Sequence, residues 1–555
     1  MTSNIDSQNP LMGQMMYQPL MISSILVHAK NQHGDTEIVS RRTEGDIHRY
    51  TYADCELRAR KVAQAIARLG LKPGERVGTI AWNGYRHLEL YYGISGSGLV
   101  CHTINPRLFE EQISYIINHA QDRAIFFDIT FLSIVRKIYN ECQSVKHWIC
   151  MINADKLPES SSPKILCYED LLDVENGDFD WPNFDENTAS ALCYTSGTTG
   201  KPKGVLYSHR STLLHTYASA LPDSLNIASA DTVMPVVPMF HVNAWGIPYS
   251  CPITGAKIVF PGEKLDGASL YELIESEGVT MSAGVPTVWL GLLEYIHSQK
   301  LKFTTFNKAI VGGSVCPPAM MDDFNTLGVK ITHAWGMTEL SPLGTAASLK
   351  ASDLKKSEAQ KKLILQKQGR SIYGIEMKII DANGETLPRD GKSYGDLLVK
   401  GHWVISNYYQ SDLSPLDKGW FPTGDVATID QDGNMQITDR SKDVIKSGGE
   451  WISSIEIESI ASAFPDISIC ACISIPHPKW GERPLLIVVK KLSVTKNDDL
   501  LKKEILSFFD GKIPKWSIPD DVVFIDKMPL TATGKLYKMK IRELFNSYQF
   551  KSNYS

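Results

Sequence analysis

The chain has 555 residues, 43% of them hydrophobic and 21% charged. That is the composition of an ordinary soluble globular protein with more than one folding unit, and it excludes a disordered, collagen-like or membrane-spanning chain. Lys and Arg number 57 against 62 Asp and Glu, a formal net charge of −5, which offers no global attraction to nucleic acid or to an anionic membrane and argues against a dedicated nucleic-acid binder.

The N-terminal stretch MTSNIDSQNPLMGQMMYQPLMISSIL has no basic region, and Gln14, Gln18 and Pro19 interrupt its apolar residues. It reads as neither secretory signal nor membrane helix, and no other stretch reaches about 18 uninterrupted apolar residues, so contact with lipid is at most peripheral. In residues 55–69 the apolar Leu57, Val62, Ile66 and Leu69 recur at helical spacing and Gly70 follows as a stop, which predicts a helix. Strands are predicted at 76–82 (RVGTIAW) and 123–128 (RAIFFD), and between them a helix over 110–120 buries Ile113, Ile116 and Ile117. Alternation of this kind predicts an α/β architecture with largely parallel sheets. The charged segment 350–370 reads as a solvated helix or surface connection. Beyond Asp439 come a polar turn, a helix near 455–464, a strand LLIVV, a helix near 500–509 and a strand DVVFI, a separate α+β unit. The boundary is placed at 439–443 (DRSKD), where charge is dense and core residues are absent. The expected organisation is therefore a large N-terminal domain over 1–438, a hinge at 439–443 and a small mobile domain over 444–555.

Ten cysteines are scattered along the chain, and the one-residue separation of Cys470 and Cys472 matches no zinc or redox pattern. They read as reduced thiols of a cytoplasmic protein.

The stretch ALCYTSGTTGKPKGV is the most informative. An apolar run, 191–194, ends in a loop that carries Gly197, Gly200 and Gly204, the hydroxyls of Thr195, Ser196, Thr198 and Thr199, and the cations Lys201 and Lys203. Glycines let backbone N–H groups turn toward an anion, hydroxyls donate to phosphate oxygens and lysines supply charge. The Walker spacing GxxxxGK[ST] is absent, because Pro202 follows Lys201.

With this loop the sequence resembles the adenylate-forming superfamily of acyl-CoA synthetases, nonribosomal adenylation domains and firefly-type luciferases. Six further stretches of that family's pattern follow in order: VPMFHVNAW (237–245), VGGS (311–314), HAWGMTE (333–339), GWFPTGD (419–425), DRSKDVIKSGGEWIS (439–453) and PLTATGK (529–535). HTINPRL (102–108) and IPHPKWGERP (475–484) make nearly the whole chain look like a bacterial medium- to long-chain fatty acid CoA ligase of the alkane-degradation type.

The resemblance implies two half-reactions: a carboxylate attacks the α-phosphate of ATP to give acyl-AMP and pyrophosphate, and the thiol of coenzyme A then attacks the acyl-AMP carbonyl. The implied partners are ATP, Mg²⁺, coenzyme A and a fatty acid, and a homodimer is a common assembly of such ligases. Glu339 would be the magnesium ligand, with Thr195 and Thr338 as matching hydroxyls for metal and phosphate. Trp335 would lie along the adenine, Gly313 would admit the adenylate, and His333 would border the same pocket. Asp425 would accept from both ribose hydroxyls, Arg440 would contact ribose or phosphate, and Lys442 would occupy the hinge. Lys535 would reach the α-phosphate and carboxylate oxygens, whereas Lys446 and Trp451 would serve the thioester-forming site after the small domain turns. His241, Val242 and Trp245 would line the acyl pocket. If HVNAW is helical, His241 and Trp245 share one face at i and i+4. His241 would position substrate and not act as a base, since a carboxylate is already ionised at pH 7. Two readings compete: a ligase for another acid (long-chain, short-chain, aryl or methylthiopropionate), and a non-catalytic adenylate binder, against which the presence of both Lys535 and Glu339 argues.

Overall fold

The computed structural model describes residues 13–158, 163–195, 201–448, 450–491, 494–531 and 535–550. Two large sheets form the bulk of the chain. In the seven-stranded sheet, five strands run parallel in the order Ile165–Cys167, His147–Cys150, Ala124–Phe127, Arg76–Ile80 and Val100–Thr103, followed by Ala189–Tyr194, also parallel, and an antiparallel edge strand Gly204–Ser208. The nine-stranded sheet is parallel from Lys330–Gly336 through Lys308–Val311, Met281–Gly284, Thr232–Pro235 and Lys257–Phe260 to Glu37–Arg41, and antiparallel at both edges. Parallel strands need helical crossovers that cover both faces. The helix Tyr85–Gly96 is accordingly buried along its whole length, and its Tyr91 and Tyr92 hydroxyls donate across the core to the carbonyls of Met239 and Pro248.

The helix predicted over 55–69 spans Tyr52–Arg68. Thr51 and Asp54 form a capping box that starts it a turn earlier than its apolar pattern suggests. Its buried face is Tyr52, Cys55, Ala59, Val62, Ala63 and Ile66, while Leu57, expected in the core, is 43% exposed. The helix Glu110–Ala120 buries Ile113, Ile116 and Ile117 as its spacing predicts. Within 350–370, the helix Glu358–Gln366 has no buried residue, in keeping with a solvated segment.

A third sheet is a four-stranded antiparallel meander of Ile375–Ile380, Tyr394–Gly401, Phe421–Ile429 and Met435–Arg440. Its apolar face shares a core with Ala191, Cys193 and Tyr207 of the seven-stranded sheet and with Val242 and Leu340. The last unit is a five-stranded sheet in which Ile445–Ser447, Ile467–His477 and Asp521–Phe524 each pair with Gly481–Lys490, and Glu450–Ile452 adds to Ile445–Ser447 at the edge. It packs the helices Ser454–Ser462 and Asp498–Phe508 into a core of its own. The segment 439–443 is dense in charge, yet its two carboxylates are shielded from solvent. Asp439 is fully buried on the last strand of the meander and Asp443 is nearly so, because each carboxylate has partners: the Ser454 N–H donates to Asp439 at 2.6 Å and Arg542 pairs with Asp443 at 2.7 Å. All ten cysteines are buried and free. Among the described residues no helix is long and apolar enough to cross a membrane.

Candidate active site

Three parallel strands of the nine-stranded sheet deliver motif residues beyond their carboxyl ends, where ligands of open α/β sheets bind. Lys308–Val311 leads to Gly312 and Gly313, Lys330–Gly336 to Thr338 and Glu339, and Thr232–Pro235 toward His241. The meander faces this edge with Asp425, whose cross-strand partner is Arg440.

Lys535 enters this cluster from the small C-terminal unit. Its loop is closed by a bridge between Leu530 and Leu536, by the Lys535 N–H donating to Thr531 Oγ1 at 3.1 Å and by the Thr531 N–H donating to the Lys535 carbonyl at 2.7 Å. The side chain lies against Gly313: a Cβ there would sit 3.2 Å from Lys535 Cε and 3.7 Å from Nζ, and Gly313 has φ +79°. A side chain at 313 would therefore be strained in backbone and in conflict with the lysine. Burial and the nearby Arg440 depress the ammonium to about 8, opposed by the carboxylates of Asp425 and Glu339.

Asp425 accepts from Trp335 Nε1 at 3.0 Å on one oxygen and lies 3.7 Å from Arg440 Nε on the other. Burial raises its pKa, and Arg440, Trp335 and Lys535 counter that rise. The Trp335 ring is pressed on Gly344, where a Cβ would come within 2.5 Å of it. Glu339 is 7% exposed. Its Oε1 accepts from the Tyr408 hydroxyl at 2.8 Å, and burial raises its pKa. Among the described residues no cation lies within 4 Å of it. The neighbouring Thr338 carbonyl accepts from the Tyr207 hydroxyl at 2.6 Å.

The strand Ala189–Tyr194 and its hairpin partner hold the base of the glycine-rich loop, which the Thr195 N–H closes by donating to the Lys203 carbonyl at 2.9 Å. Ser196, Gly197, Thr198, Thr199 and Gly200, expected to grip phosphate, lie outside the described residues. Lys203 Nζ sits over the Tyr408 ring at 4.8 Å and Lys201 Nζ over the Tyr115 ring at 5.1 Å.

The turn HVNAW departs from the helical expectation. Val242, Asn243, Ala244 and Trp245 have φ of 47°, 51°, 48° and 57°, a left-handed turn that carries about 1–2 kcal/mol of strain per residue for most side chains. The i, i+4 face therefore does not exist. Burial holds the strain in place: Asn243, a residue type tolerant of this conformation, receives the Tyr91 hydroxyl at 3.3 Å and the Cys193 thiol at 3.5 Å. The turn sets Trp245 against the glycine pair, with Cη2 3.0 Å from a Cβ built on Gly312. Burial, with Lys535 adding to it, depresses His241 to about 3, so the imidazole is neutral. Val242 is buried in the core shared with the meander.

His333 is 1% exposed, and both ring nitrogens are engaged, Nδ1 with the Gln366 carbonyl at 2.9 Å and Nε2 with the Cys316 N–H at 3.4 Å. It braces the edge of the site and has no polar atom to spare. Lys442 is exposed on the turn after Arg440. Lys446 lies opposite Trp451 in the hairpin of Ile445–Ser447 and Glu450–Ile452, and the Trp451 side chain lies outside what is described. Tyr408, Tyr207 and Asn243 were not legible as site residues. The aromatic pair in the polar stretch SNYYQ is the one trace Tyr408 leaves in the sequence.

A buried carboxylate, an ammonium and a second carboxylate thus converge beside Gly313. Residues 26–409 match the AMP-binding enzyme family and residues 456–535 match the AMP-binding enzyme C-terminal domain. The chain belongs to the AMP-binding enzyme family. It is 52% identical to a 3-methylmercaptopropionyl-CoA ligase of Ruegeria lacuscaerulensis, over 96% of this chain and 99% of that one. It is 50% identical to a medium-chain-fatty-acid–CoA ligase of Ectopseudomonas oleovorans (98% and 100%) and 40% identical to a long-chain-fatty-acid–CoA ligase of Thermus thermophilus (98% and 99%). Similarity to these ligases along its whole length makes the chain an acid–thiol ligase. In fold it is similar to the anthranilate CoA ligase AuaEII in complex with anthranoyl-AMP, with a TM-score of 0.86 at 21% identity over 96% of this chain and 98% of that one.

Proposed function

We propose that this acid–thiol ligase activates medium-chain fatty acids, forming acyl-AMP and pyrophosphate from ATP and then acyl-CoA and AMP. The observation that carries the reading is Lys535 lodged against Gly313 between Asp425 and Glu339. Both half-reactions build negative charge on phosphate or carbonyl oxygens, so the effective contribution is a preorganised cation beside the reacting groups. In this reading Lys535 meets the α-phosphate and carboxylate, Asp425 and Arg440 hold the ribose, Trp335 covers the adenine, and Thr195, Lys201 and Lys203 with their loop take the β- and γ-phosphates. His241, neutral at working pH, orients the carboxylate end, and Trp245 bounds the acyl chain.

Glu339 suits a hard divalent ion. One oxygen is held by Tyr408, and Lys203, Arg440 and Lys535 act on the carboxylate only from beyond ion-pair distance, which leaves a nearly buried acceptor that prefers company when ionised. Mg²⁺ held by Glu339, with the hydroxyls of Thr195 and Thr338 nearby, would neutralise phosphate charge. For the thioester step, 439–443 would act as the hinge between 1–438 and 444–555, and turning about Lys442 would bring Lys446 and Trp451 to the site in place of Lys535. Ten free buried thiols fit a reducing cytoplasm.

A second reading is a ligase for a short sulfur-containing acid, favoured by the 52% identity to the 3-methylmercaptopropionyl-CoA ligase. A panel of straight-chain acids from C2 to C18, 3-methylmercaptopropionate and benzoate, followed by pyrophosphate release and thioester formation, separates them. A maximum of kcat/KM in the medium chain range supports the proposal. A maximum on the thioether acid replaces it, and no AMP from any acid would refute both.

A further inference from the structure

The meander and the small unit have separate cores, yet side-chain ties cross the turn that joins them. Asp439, on the meander's last strand, is wholly buried. Its Oδ2 accepts the Ser454 N–H at 2.6 Å at the first residue of the helix Ser454–Ser462, and its Oδ1 accepts the Arg440 N–H at 2.7 Å. The Ser453 hydroxyl donates to the Thr438 carbonyl, and Ile455 packs on the meander's core.

The same helix is bound to the chain that follows Lys535. Lys538 Nζ donates to Ser454 Oγ at 2.6 Å and pairs with Glu458 at 2.8 Å, and its charge is felt by both Asp439 and Asp443. Lys538 opens the helix Lys538–Leu544, whose Arg542 pairs with Asp443 at 2.7 Å. A continuous set of contacts thus runs from Asp439 through Ser454 and Lys538 to the backbone three residues beyond Lys535. The carboxylate stands on one side of Lys442, and Ser453, Ser454 and Lys538 stand on the other. The direct bonds from 438 and 439 to 453 and 454 depend on the relative orientation of meander and small unit, unlike the Lys538–Glu458 and Arg542–Asp443 pairs, which lie beyond the turn and travel together.

We propose that Asp439 is a positioning residue for Lys535: with Ser453 it latches the small unit in the orientation that seats the lysine beside Gly313. This deepens the ligase reading and rests on it for the kinetic consequence, but the seating of Lys535 is independent of what the site activates. The latch touches neither nucleotide nor acid. It stabilises one orientation, so it supports the half-reaction that uses Lys535 and opposes the other.

The test uses the full-length enzyme with Asp439→Ala, Ser453→Ala and, as a milder change at the buried position, Asp439→Asn. Acyl-AMP formation is followed by pyrophosphate release in the absence of coenzyme A, and thioester formation is followed from supplied acyl-AMP. Lys535 labelling by an acetylating reagent is read by mass spectrometry. The latch predicts that Asp439→Ala slows acyl-AMP formation about tenfold, the scale of one lost charge-assisted hydrogen bond, with Ser453→Ala in the same direction and smaller. Thioester formation is retained or faster, and Lys535 labels faster in each variant. Equal loss of both half-reactions, which a merely structural role would give, overturns the proposal, as does unchanged Lys535 labelling. Lys535→Ala serves as the control: if it leaves acyl-AMP formation intact the ligase reading fails, while the labelling result still judges the latch.

Discussion

Trp335 Nε1 donates to Asp425 Oδ2 at 3.0 Å, so the indole assigned to the adenine also orients the carboxylate assigned to the ribose. The two come from different sheets, and their bond ties the meander to the carboxyl edge of the nine-stranded sheet. Trp335→Phe keeps a flat apolar face and deletes the donor. A hydrogen bond to a charged acceptor contributes about 1.5–3 kcal/mol, so ATP affinity, measured by calorimetry, should weaken about tenfold. Asp425→Asn should weaken it also, and the double variant should lose less than the sum, as expected of residues in contact. Strict additivity would separate their roles.

Lys535→Ala removes the cation that meets Gly313. Acyl-AMP formation should fall by about 10² or more, the range found for deleting one transition-state donor, while thioester formation from supplied acyl-AMP is spared. Quenched-flow measurement of each half-reaction decides it, and parallel loss would end the assignment of Lys535 to the first step.

The pH profile follows from the same lysine. Burial and Arg440 place it at about 8, a depressed value, so the cation is present below that pH and lost above it. The kcat/KM for ATP reports groups of the free enzyme and should decline as pH rises through about 8. His241, at about 3, is neutral throughout, so no break near pH 6 should arise from it. His241→Ala should lower the rate without reshaping the acid limb.

Trp245 is packed against Gly312. Trp245→Ala opens space at the glycine pair and should move the chain-length profile toward longer or bulkier acids, with KM changing more than kcat. An unchanged profile across the acid panel would make this indole plain core.

Asn243 sits at φ 51° within four consecutive left-handed residues. Asn243→Gly and Asn243→Val both lose the bonds to Tyr91 and Cys193, but only valine adds backbone strain. The valine variant should be less stable than the glycine variant by about 1–2 kcal/mol, read from urea midpoints at a common slope.

The helix Glu110–Ala120 was legible to the residue because its apolar spacing and burial agree. The start of Tyr52–Arg68 was missed by three residues because a capping box outranks apolar periodicity at a helix end. The condition set on HVNAW, that it be helical, fails for a related reason. Its residues carry no strong signal against a helix, and the left-handed turn is stabilised by Tyr91 and Cys193, which lie 152 and 50 residues from Asn243.

The one-dimensional order of motifs was enough to identify the family and, through that resemblance, the chemistry, whereas a lone glutamate, aspartate or late lysine carries no role in its residue type alone. Where those groups stand was decided in three dimensions. Trp335 beside Asp425, Tyr408 on Glu339, and Lys535 against Gly313 are contacts between distant segments, and burial depresses the lysine to about 8 and His241 to about 3. The charged run at 439–443 makes the same point. Its dense charge and lack of core residues mark a domain boundary, but both of its carboxylates are buried because a helix terminus and an arginine, supplied by later segments, satisfy them.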